Sequence, residues 1–268
     1  MLEKKIKLSN GKVIPIIALG TWQTPRDVAA QAVKDAIEVG YRHIDTAVAY
    51  GNEIEVGQGF KESGIKREDI FITTKIRAEV KSYEGAKKEI EESLKRLNVD
   101  YIDLVLIHCP VPWWRYMLKI KGCYKQNVEV YRAMEEAYKE GKIKSLGISN
   151  FAIKDVKNIL DHCEIKPVIN QIEWHVGKRD EALREYCHEN GILIEAYSPL
   201  GCGKLMKNQE VIDMAKKYGV SPAQLCIKFT LMDADITLPK TVHKNRMIEN
   251  SKLNFEISKE DFETLKRY

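Results

Sequence analysis

The sequence predicts an α/β protein, a single (β/α)8 TIM barrel with an N-terminal β-hairpin, on three observations. Short apolar runs ending in polar residues alternate with amphipathic helical stretches, the pattern of parallel strands joined by helical crossovers. That unit occurs eight times in 268 residues, close to the ~250 residues that one eight-fold barrel needs. Apart from 232–239, no linker, composition shift or low-complexity stretch interrupts the chain, so residues 1–268 are expected to form one domain.

The hairpin comes first. From Ile6 to Ile14 two alternating stretches flank Asn10-Gly11, a dipeptide suited to the positive φ angles of a two-residue turn. Strands are predicted from Ile16 to Gly20, His43 to Asp45, Ile70 to Lys75, Ile102 to His108, Ser145 to Ser149, Val168 to Glu173, Leu193 to Tyr197 and Ile236 to Leu238. Helices are predicted from Arg26 to Val39, Glu53 to Ser63, Tyr83 to Leu97, Asn127 to Glu140, Ile153 to His162, Asp180 to Asn190 and Glu210 to Phe229. The last breaks at Gly219 to Pro222, where Ser221 can cap a helix that begins with Pro222. The competing architecture is a doubly wound open sheet, whose G-x-G-x-x-G fingerprint should follow an early strand. None does, and Gly201-Cys202-Gly203 is only a partial match.

Composition narrows the function classes. The chain is 44% hydrophobic and 31% charged, enough for a sizeable core under a solvated surface of mixed sign. A formal net charge of +4 is too small and dispersed to indicate nucleic acid or an anionic membrane as partner. No apolar stretch has the length of a signal peptide or a membrane span, so a cytoplasmic location is expected. The six cysteines form no C-x-x-C pair, which indicates reduced thiols and no metal site.

In a barrel the reactive groups sit where strands end. The second predicted strand ends in Asp45, the third in Lys75 and the fourth in His108, with Tyr50 in the loop beyond the second. Taken singly, each has a bland reading: a loop cap, a solvated lysine, a structural histidine. Together they read as a tuned proton donor. A tyrosine is a poor acid at neutral pH unless a cation favours its phenolate, and Lys75 can supply that charge. Asp45 keeps the ammonium protonated and in place. His108 can orient a carbonyl oxygen so that Tyr50 protonates it as hydride reaches the carbon.

These four residues resemble the tetrad of the aldo-keto reductase family, and the supporting motifs span most of the chain. They are Leu19-Gly20-Thr21-Trp22, Ile44-Asp45-Thr46-Ala47, Tyr50-Gly51-Asn52-Glu53, Leu106-Ile107-His108, Gly147-Ile148-Ser149-Asn150-Phe151, Asn170-Gln171-Ile172-Glu173, Ala196-Tyr197-Ser198-Pro199-Leu200-Gly201 and Leu238-Pro239-Lys240-Thr241. The resemblance implies NADPH as cofactor and a small-molecule carbonyl, an aldehyde, ketose or keto acid, as substrate. It implies that Ser149, Asn150 and Gln171 hold the nicotinamide carboxamide, that Tyr197 stacks on the ring, and that Ser198 and Leu200 line the pyrophosphate channel. It also places Gly20, Thr21, Trp22 and Asp45 beside the cofactor. Lys240, Thr241 and Arg246, with Glu249 and Asn250, match the segment that grips the adenosine end. Two cations and a hydroxyl suit a ribose 2′-phosphate, though Lys240, Lys244 and Arg246 can also be read as an ordinary basic helix start.

The chain departs from the family at the pocket. Cys109 stands where many members carry Trp, and Arg77 where an aromatic is common, which predicts a wider, more polar pocket. Arg77 is either a carboxylate or phosphate reader or a surface side chain facing away. Trp22, Trp113 and Trp114 are candidates for apolar walls around substrate, with packing inside the loop the alternative for one of the pair. The chain stops at Tyr268, where many relatives carry a loop over the substrate, so an open pocket and broad specificity are expected. The resemblance implies a monomer or weak oligomer. Three other functions compete. A Schiff-base aldolase through Lys75 is opposed by Asp45. A glycosidase using Glu173 and Glu195 is opposed by the position of Glu195 inside an apolar run. The third is an NADPH-binding regulatory subunit that keeps the reductase fold.

Overall fold

Eight short apolar runs can bury both faces only if their inner faces meet one another and their outer faces meet helices. The computed structural model, which describes residues 1–120 and 122–268, has that arrangement. An antiparallel pair, β1 (Lys5–Lys7) and β2 (Val13–Pro15), precedes eight parallel strands. These are β3 (Leu19–Gly20), β4 (His43–Asp45), β5 (Phe71–Ile76), β6 (Leu104–Ile107), β7 (Leu146–Ser149), β8 (Ile169–Glu173), β9 (Leu193–Tyr197) and β10 (Ile236–Leu238). They pair in chain order from β3 to β10, and a parallel bridge between Ile17 and Thr237 joins the two ends. The Ala18 N–H donates to the Thr237 carbonyl at 3.0 Å and the Thr237 N–H to the Ile16 carbonyl at 2.9 Å, closing the barrel.

The helices are α1 (Arg26–Val39), α2 (Glu53–Glu62), α3 (Tyr83–Leu97), α4 (Trp113–Met117), α5 (Tyr124–Lys139), α6 (Ile153–Leu160), α7 (Glu181–Glu189), α8 (Gln209–Lys217), α9 (Pro222–Asp233), α10 (Lys244–Ser251) and α11 (Lys259–Leu265). The predicted break before Pro222 is present. Ser221 Oγ accepts from the Gln224 N–H, and the Gln224 side chain accepts from the Ser221 N–H, a reciprocal cap that satisfies two otherwise orphaned donors. The loop after β6 is shorter than expected, since it holds α4 and gives way to α5 at Tyr124.

The hairpin turn differs from the two-residue form predicted. The Leu8 N–H donates to the Lys12 carbonyl at 2.8 Å, so the loop is the three residues 9–11, and only Gly11 has positive φ, at +83°. Asn10 works through its side chain instead. Its Oδ1 accepts from the Lys12 N–H at 3.1 Å, and its Nδ2 donates to Ser145 Oγ at 3.0 Å. These bonds leave one residue, not two, in the left-handed region, the three-residue hairpin form. Leu8 and Ile14 pack with Ala18, Phe71, Leu104 and Ile236, so the hairpin plugs the barrel where its strands begin.

At the other end the position of α2 matters most, because it starts three residues after Tyr50. Two glycines seat it. A Cβ on Gly57 would lie 2.3 Å from the Leu97 carbonyl oxygen, and one on Gly59 would lie 2.3 Å from the Ala30 carbonyl oxygen. The α2 backbone therefore touches the backbones of both α1 and α3, and no side chain fits between. Gly59→Ala is expected to lower unfolding stability by about 1–3 kcal/mol, the usual cost of overpacking. Denaturant titration checks this, and an unchanged midpoint would refute the close-contact argument.

Candidate active site

Successive strand residues face opposite sides, so His43 and Asp45 of β4 share the inner face, as do Phe71, Thr73 and Lys75 of β5. The lower position in each strand is packed and the upper one is polar. Lys75 is wholly buried and Asp45 nearly so. Lys75 Nζ donates to Asp45 Oδ1 at 2.7 Å and Oδ2 at 2.8 Å, to the Thr46 carbonyl at 2.9 Å and to Tyr50 Oη at 3.1 Å. Burial works to lower the ammonium's pKa, but the charge of Asp45 and the bonds to Asp45 and Tyr50 outweigh it and raise the group above its ordinary value. A lysine held this way is a fixed cation and no amine nucleophile, which removes the aldolase reading.

Tyr50 is only partly covered. Burial raises its pKa above the ordinary phenol value, while the Lys75 charge works against that rise and Asp45 adds to it. This corrects the expectation of a lowered tyrosine pKa: the phenol is fully protonated at neutral pH, and Lys75 moderates the cost of its ionisation. The His108 ring lies edge-on to Tyr50 with centroids 5.6 Å apart and edge-on to Trp113 at 5.1 Å. Burial first, then the Lys75 charge, pushes its pKa down to about 3. Its Nδ1 is buried and has no hydrogen-bond partner among the described residues.

The loop carrying Tyr50 is held from below by Asn52 and Glu53, to which sequence reasoning gave no role, and by Thr21. Asn52 is wholly buried; its Nδ2 donates to the Thr21 and Thr24 carbonyls at 2.9 and 3.2 Å, and its Oδ1 accepts from Thr46 Oγ1 at 3.0 Å. Glu53 accepts from Thr74 Oγ1 and from Arg96 Nε, both at 2.6 Å. Thr21 completes the seat by donating its N–H and Oγ1 to the Asp45 carbonyl, each at 3.0 Å.

Beside the tetrad a second set of predicted residues forms one hydrogen-bonded group. Ser149 Oγ donates to the Gln171 carbonyl at 2.9 Å, Asn150 Nδ2 donates to the His108 carbonyl at 2.9 Å, and Tyr197 Oη donates to Asn150 Oδ1 at 2.8 Å. Asn150 and Ser198 both have positive φ, 62° and 53°, a strained backbone of the kind that clusters at binding sites. Gln171 Nε2 donates to Asp45 Oδ2 at 2.9 Å and to Glu195 Oε2 at 2.7 Å. β4 and β8 are not neighbours in the sheet, so the first of these bonds crosses the barrel interior. The buried Glu195, dismissed from sequence because it lies inside an apolar run, is thus wired to the tetrad; that position, a carboxyl on the inner face of a strand, was the available signal.

With this geometry in view, similarity to known proteins becomes informative. The sequence model of the Aldo/keto reductase family matches residues 16–268. The chain is 41% identical to a glyoxal reductase of Bacillus subtilis, covering 98% of this chain and 92% of that one. It is 39% identical to an aldehyde reductase of Saccharomyces cerevisiae, covering 97% and 89%. The crystal structure of a Bombyx mori aldo-keto reductase in complex with NADP superposes with a TM-score of 0.89 at 33% identity, covering 100% of this chain and 93% of that chain. The chain belongs to the aldo/keto reductase family. As an aldo-keto reductase it is an NADP(H)-dependent carbonyl-reducing oxidoreductase.

The remaining predicted residues of this reductase are placed as follows. Gly20 lies against β10, with its N–H donating to the Pro239 carbonyl at 3.1 Å. Trp22 is exposed beside the tetrad loop, and Lys240 Nζ reaches the neighbouring Gln23 carbonyl at 3.2 Å. Ser198 Oγ sits 3.6 Å from Cys202 Sγ, and Leu200 packs against the core. Thr241 Oγ1 accepts from the His243 N–H at 3.1 Å. Arg246 is exposed on α10 and Asn250 is buried, with Glu249 between them.

The pocket residues are placed as follows. Arg77 does not stand free: its backbone N–H donates to Glu89 Oε2 at 2.6 Å and its Nε to Glu89 Oε1 at 2.5 Å, so the buried Glu89 neutralises it. Cys109 does not widen or polarise the pocket, since it is fully buried in a small apolar cluster with Ala78, Val111 and Cys123, against which Trp113 packs. Of the paired tryptophans, Trp113 meets His108 while Trp114 is 58% exposed.

The low pKa of His108 has a consequence for stability. A folded-state value near 3 against 6.5 costs nothing above pH 6.5, where both states are neutral, and destabilises the fold as pH falls from 6.5 toward 3, by up to about 1.4 kcal/mol per pH unit. His108→Gln is therefore expected to unfold with a shallower pH dependence than wild type between pH 6.5 and 4. Equal slopes in denaturant titrations would reject a buried neutral imidazole.

Proposed function

We propose that Tyr50 is the proton donor for carbonyl reduction, with His108 orienting the substrate oxygen and Asp45 and Lys75 stabilising the tyrosinate that forms. The observation that carries this is the 3.1 Å bond from Lys75 Nζ to Tyr50 Oη, on a cation already fixed by Asp45. A neutral His108 can donate to a carbonyl oxygen without competing as the acid, since its imidazolium is suppressed by burial and by Lys75. The buried Lys75 charge lowers the energy of the phenolate in the moment it forms, without reorganisation.

NADPH, when bound, supplies the hydride. Ser149, Asn150, Gln171 and Tyr197 would hold its nicotinamide end, with Gly20, Thr21, Trp22, Ser198 and Leu200 around it. Two features of this chain suit the group. The amide oxygen of Gln171 has no hydrogen-bond partner among the described residues, while both N–H donors are occupied. At the adenosine end, Lys244 is taken by Glu38 at 2.7 Å, whereas Arg246 has no ion-pair partner among the described residues and Lys240 bonds only a backbone carbonyl. Arg246, Lys240 and Thr241, with Glu249 and Asn250 behind them, are thus a cationic site matched to a 2′-phosphate dianion.

The substrates that fit best are small aldehydes and dicarbonyls, a reading supported by the similarity to a glyoxal reductase and by Trp113 standing edge-on to His108. The cysteines are all free thiols, which suits a reducing cytoplasm. NADPH consumption should be followed with a panel of aldehydes, ketoses and keto acids. Tyr50→Phe is expected to lower kcat by about 10²–10⁴, the usual share of general acid catalysis; an active Tyr50→Phe enzyme would overturn the donor assignment, and NADPH binding without turnover in wild type would favour a regulatory subunit. Arg246→Ala should raise KM for NADPH about tenfold or more and leave KM for NADH nearly unchanged, because a charge-assisted bond to phosphate is worth roughly 1.5–3 kcal/mol. Equal effects on both nucleotides would remove the 2′-phosphate assignment.

A further inference from the structure

Glu195 is a carboxylic acid at the centre of the barrel that the reaction above does not use. It is wholly buried on β9. Its Oε2 accepts from Gln171 Nε2 at 2.7 Å, and its Oε1 has no hydrogen-bond partner among the described residues and lies 3.8 Å from His43 Nε2. His43 faces it from β4 and is engaged by Thr73 Oγ1 of β5 at 2.9 Å. Asp45 of β4 and Lys75 of β5 are its charged neighbours, with Tyr50 beyond them.

A primary amide has two N–H donors and one carbonyl oxygen, and it can turn over about its terminal bond to exchange them. Gln171 gives one donor to Asp45 and one to Glu195, both acceptors on the interior side. Asp45 alone would hold a single N–H and leave the other donor unsatisfied in a buried site, a state that costs more than an ordinary hydrogen bond gains. The second carboxyl removes that penalty, and turning the amide over would set its oxygen against the Asp45 carboxylate, which can only accept. Only the amide oxygen is then available to a ligand.

We propose that Glu195 is a positioning residue: it locks the Gln171 side chain in the orientation that presents a hydrogen-bond acceptor, and so makes the site selective for a nicotinamide whose carboxamide offers an N–H donor. The proposal rests on the assignment of Gln171 to the carboxamide made above. Burial first, and then the charge of Asp45, hold the Glu195 carboxyl well above the usual carboxylate range. A neutral acid still accepts from Gln171 through its carbonyl oxygen, and the interior keeps one carboxylate for one ammonium.

The test is binding, read by titration calorimetry, of NADP+ and of its 3-acetylpyridine analogue, in which a methyl group replaces the carboxamide NH2. Wild type should prefer NADP+ by about tenfold, the worth of one neutral hydrogen bond, and Gln171→Leu should abolish the preference. Glu195→Leu should reduce it to within about twofold, while Glu195→Gln, whose oxygen can still accept from Gln171, should restore most of it. A packing role alone would weaken both nucleotides together and leave their ratio unchanged. No preference in wild type would overturn the carboxamide assignment and this inference with it. A preference that Gln171→Leu removes but Glu195→Leu retains would overturn the inference alone. If Glu195→Leu does not fold, Glu195→Gln decides: loss of the preference there overturns the lock.

Discussion

A single buried ammonium organises this enzyme. An ion of that size taken out of water loses several kcal/mol of hydration even after the protein relaxes, and the fold has to return that as close contacts. Four oxygens do so around Lys75 Nζ: two from Asp45, one from the Thr46 backbone and one from Tyr50, all within 3.1 Å. Each sets a constraint on the chain. Asp45 and Lys75 must stand near the ends of adjacent strands in matched register, which the pairing of Asp45 with Thr73 provides. Thr46 must turn its carbonyl inward at the first residue after β4. Tyr50 must come back within four further residues, a path fixed by Asn52 and the short helical turn at Val48–Tyr50.

The same constraint explains the vertical order of the barrel interior. Strand residues two apart share a face, so one strand can contribute an apolar side chain near its start and a polar one near its end. Phe71 and Lys75 of β5 are such a pair, as are Leu104 of β6 and His108 just beyond it. The apolar level is covered by Leu8 and Ile14 of the hairpin, which places a packed hydrophobic layer beneath Lys75. Outside the barrel, backbone contact at Gly57 and Gly59 fixes α2 against its neighbours. Glu53, the first residue of α2, carries that placement inward through Thr74, the residue before Lys75.

Much of this was legible in the amino-acid sequence because strand ends are marked locally. An apolar run that stops at Asp45, Lys75 or His108 announces both a strand and the face of the barrel on which its last residue stands. The 3.6-residue periodicity of the helices and the cap at Ser221 are equally local. What could not be read depends on partners that only the folded chain brings together. Arg77 looks available until Glu89, on the following helix, is seen to hold both its backbone and its guanidinium. Cys109 looks like a gap in the pocket wall until Cys123 and Val111 fold over it. Glu195 looks misplaced in an apolar run, because its reason for being there is Gln171 on the next strand. Even the hairpin turn depends on a distant residue, since Asn10 is occupied by Ser145.

The protonation states of the interior then follow from one another. With Lys75 cationic and Asp45 anionic, the site is neutral, and any further charge must be held without a counter-ion. His43 and His108 are both pushed down to about 3 by burial, with Lys75 adding to the effect, so neither adds a positive charge. Glu195 is raised by burial and by Asp45, so it adds no negative one. Tyr50 is raised by burial too, but it is the neutral acid that touches the ammonium directly, and it is only partly covered. It is therefore the group whose ionisation the site can best tolerate, and for which a proton acceptor can arrive from outside. The proposed choice of Tyr50 as proton donor is in this sense electrostatic exclusion: the other acids near Lys75 are either already ionised or held neutral.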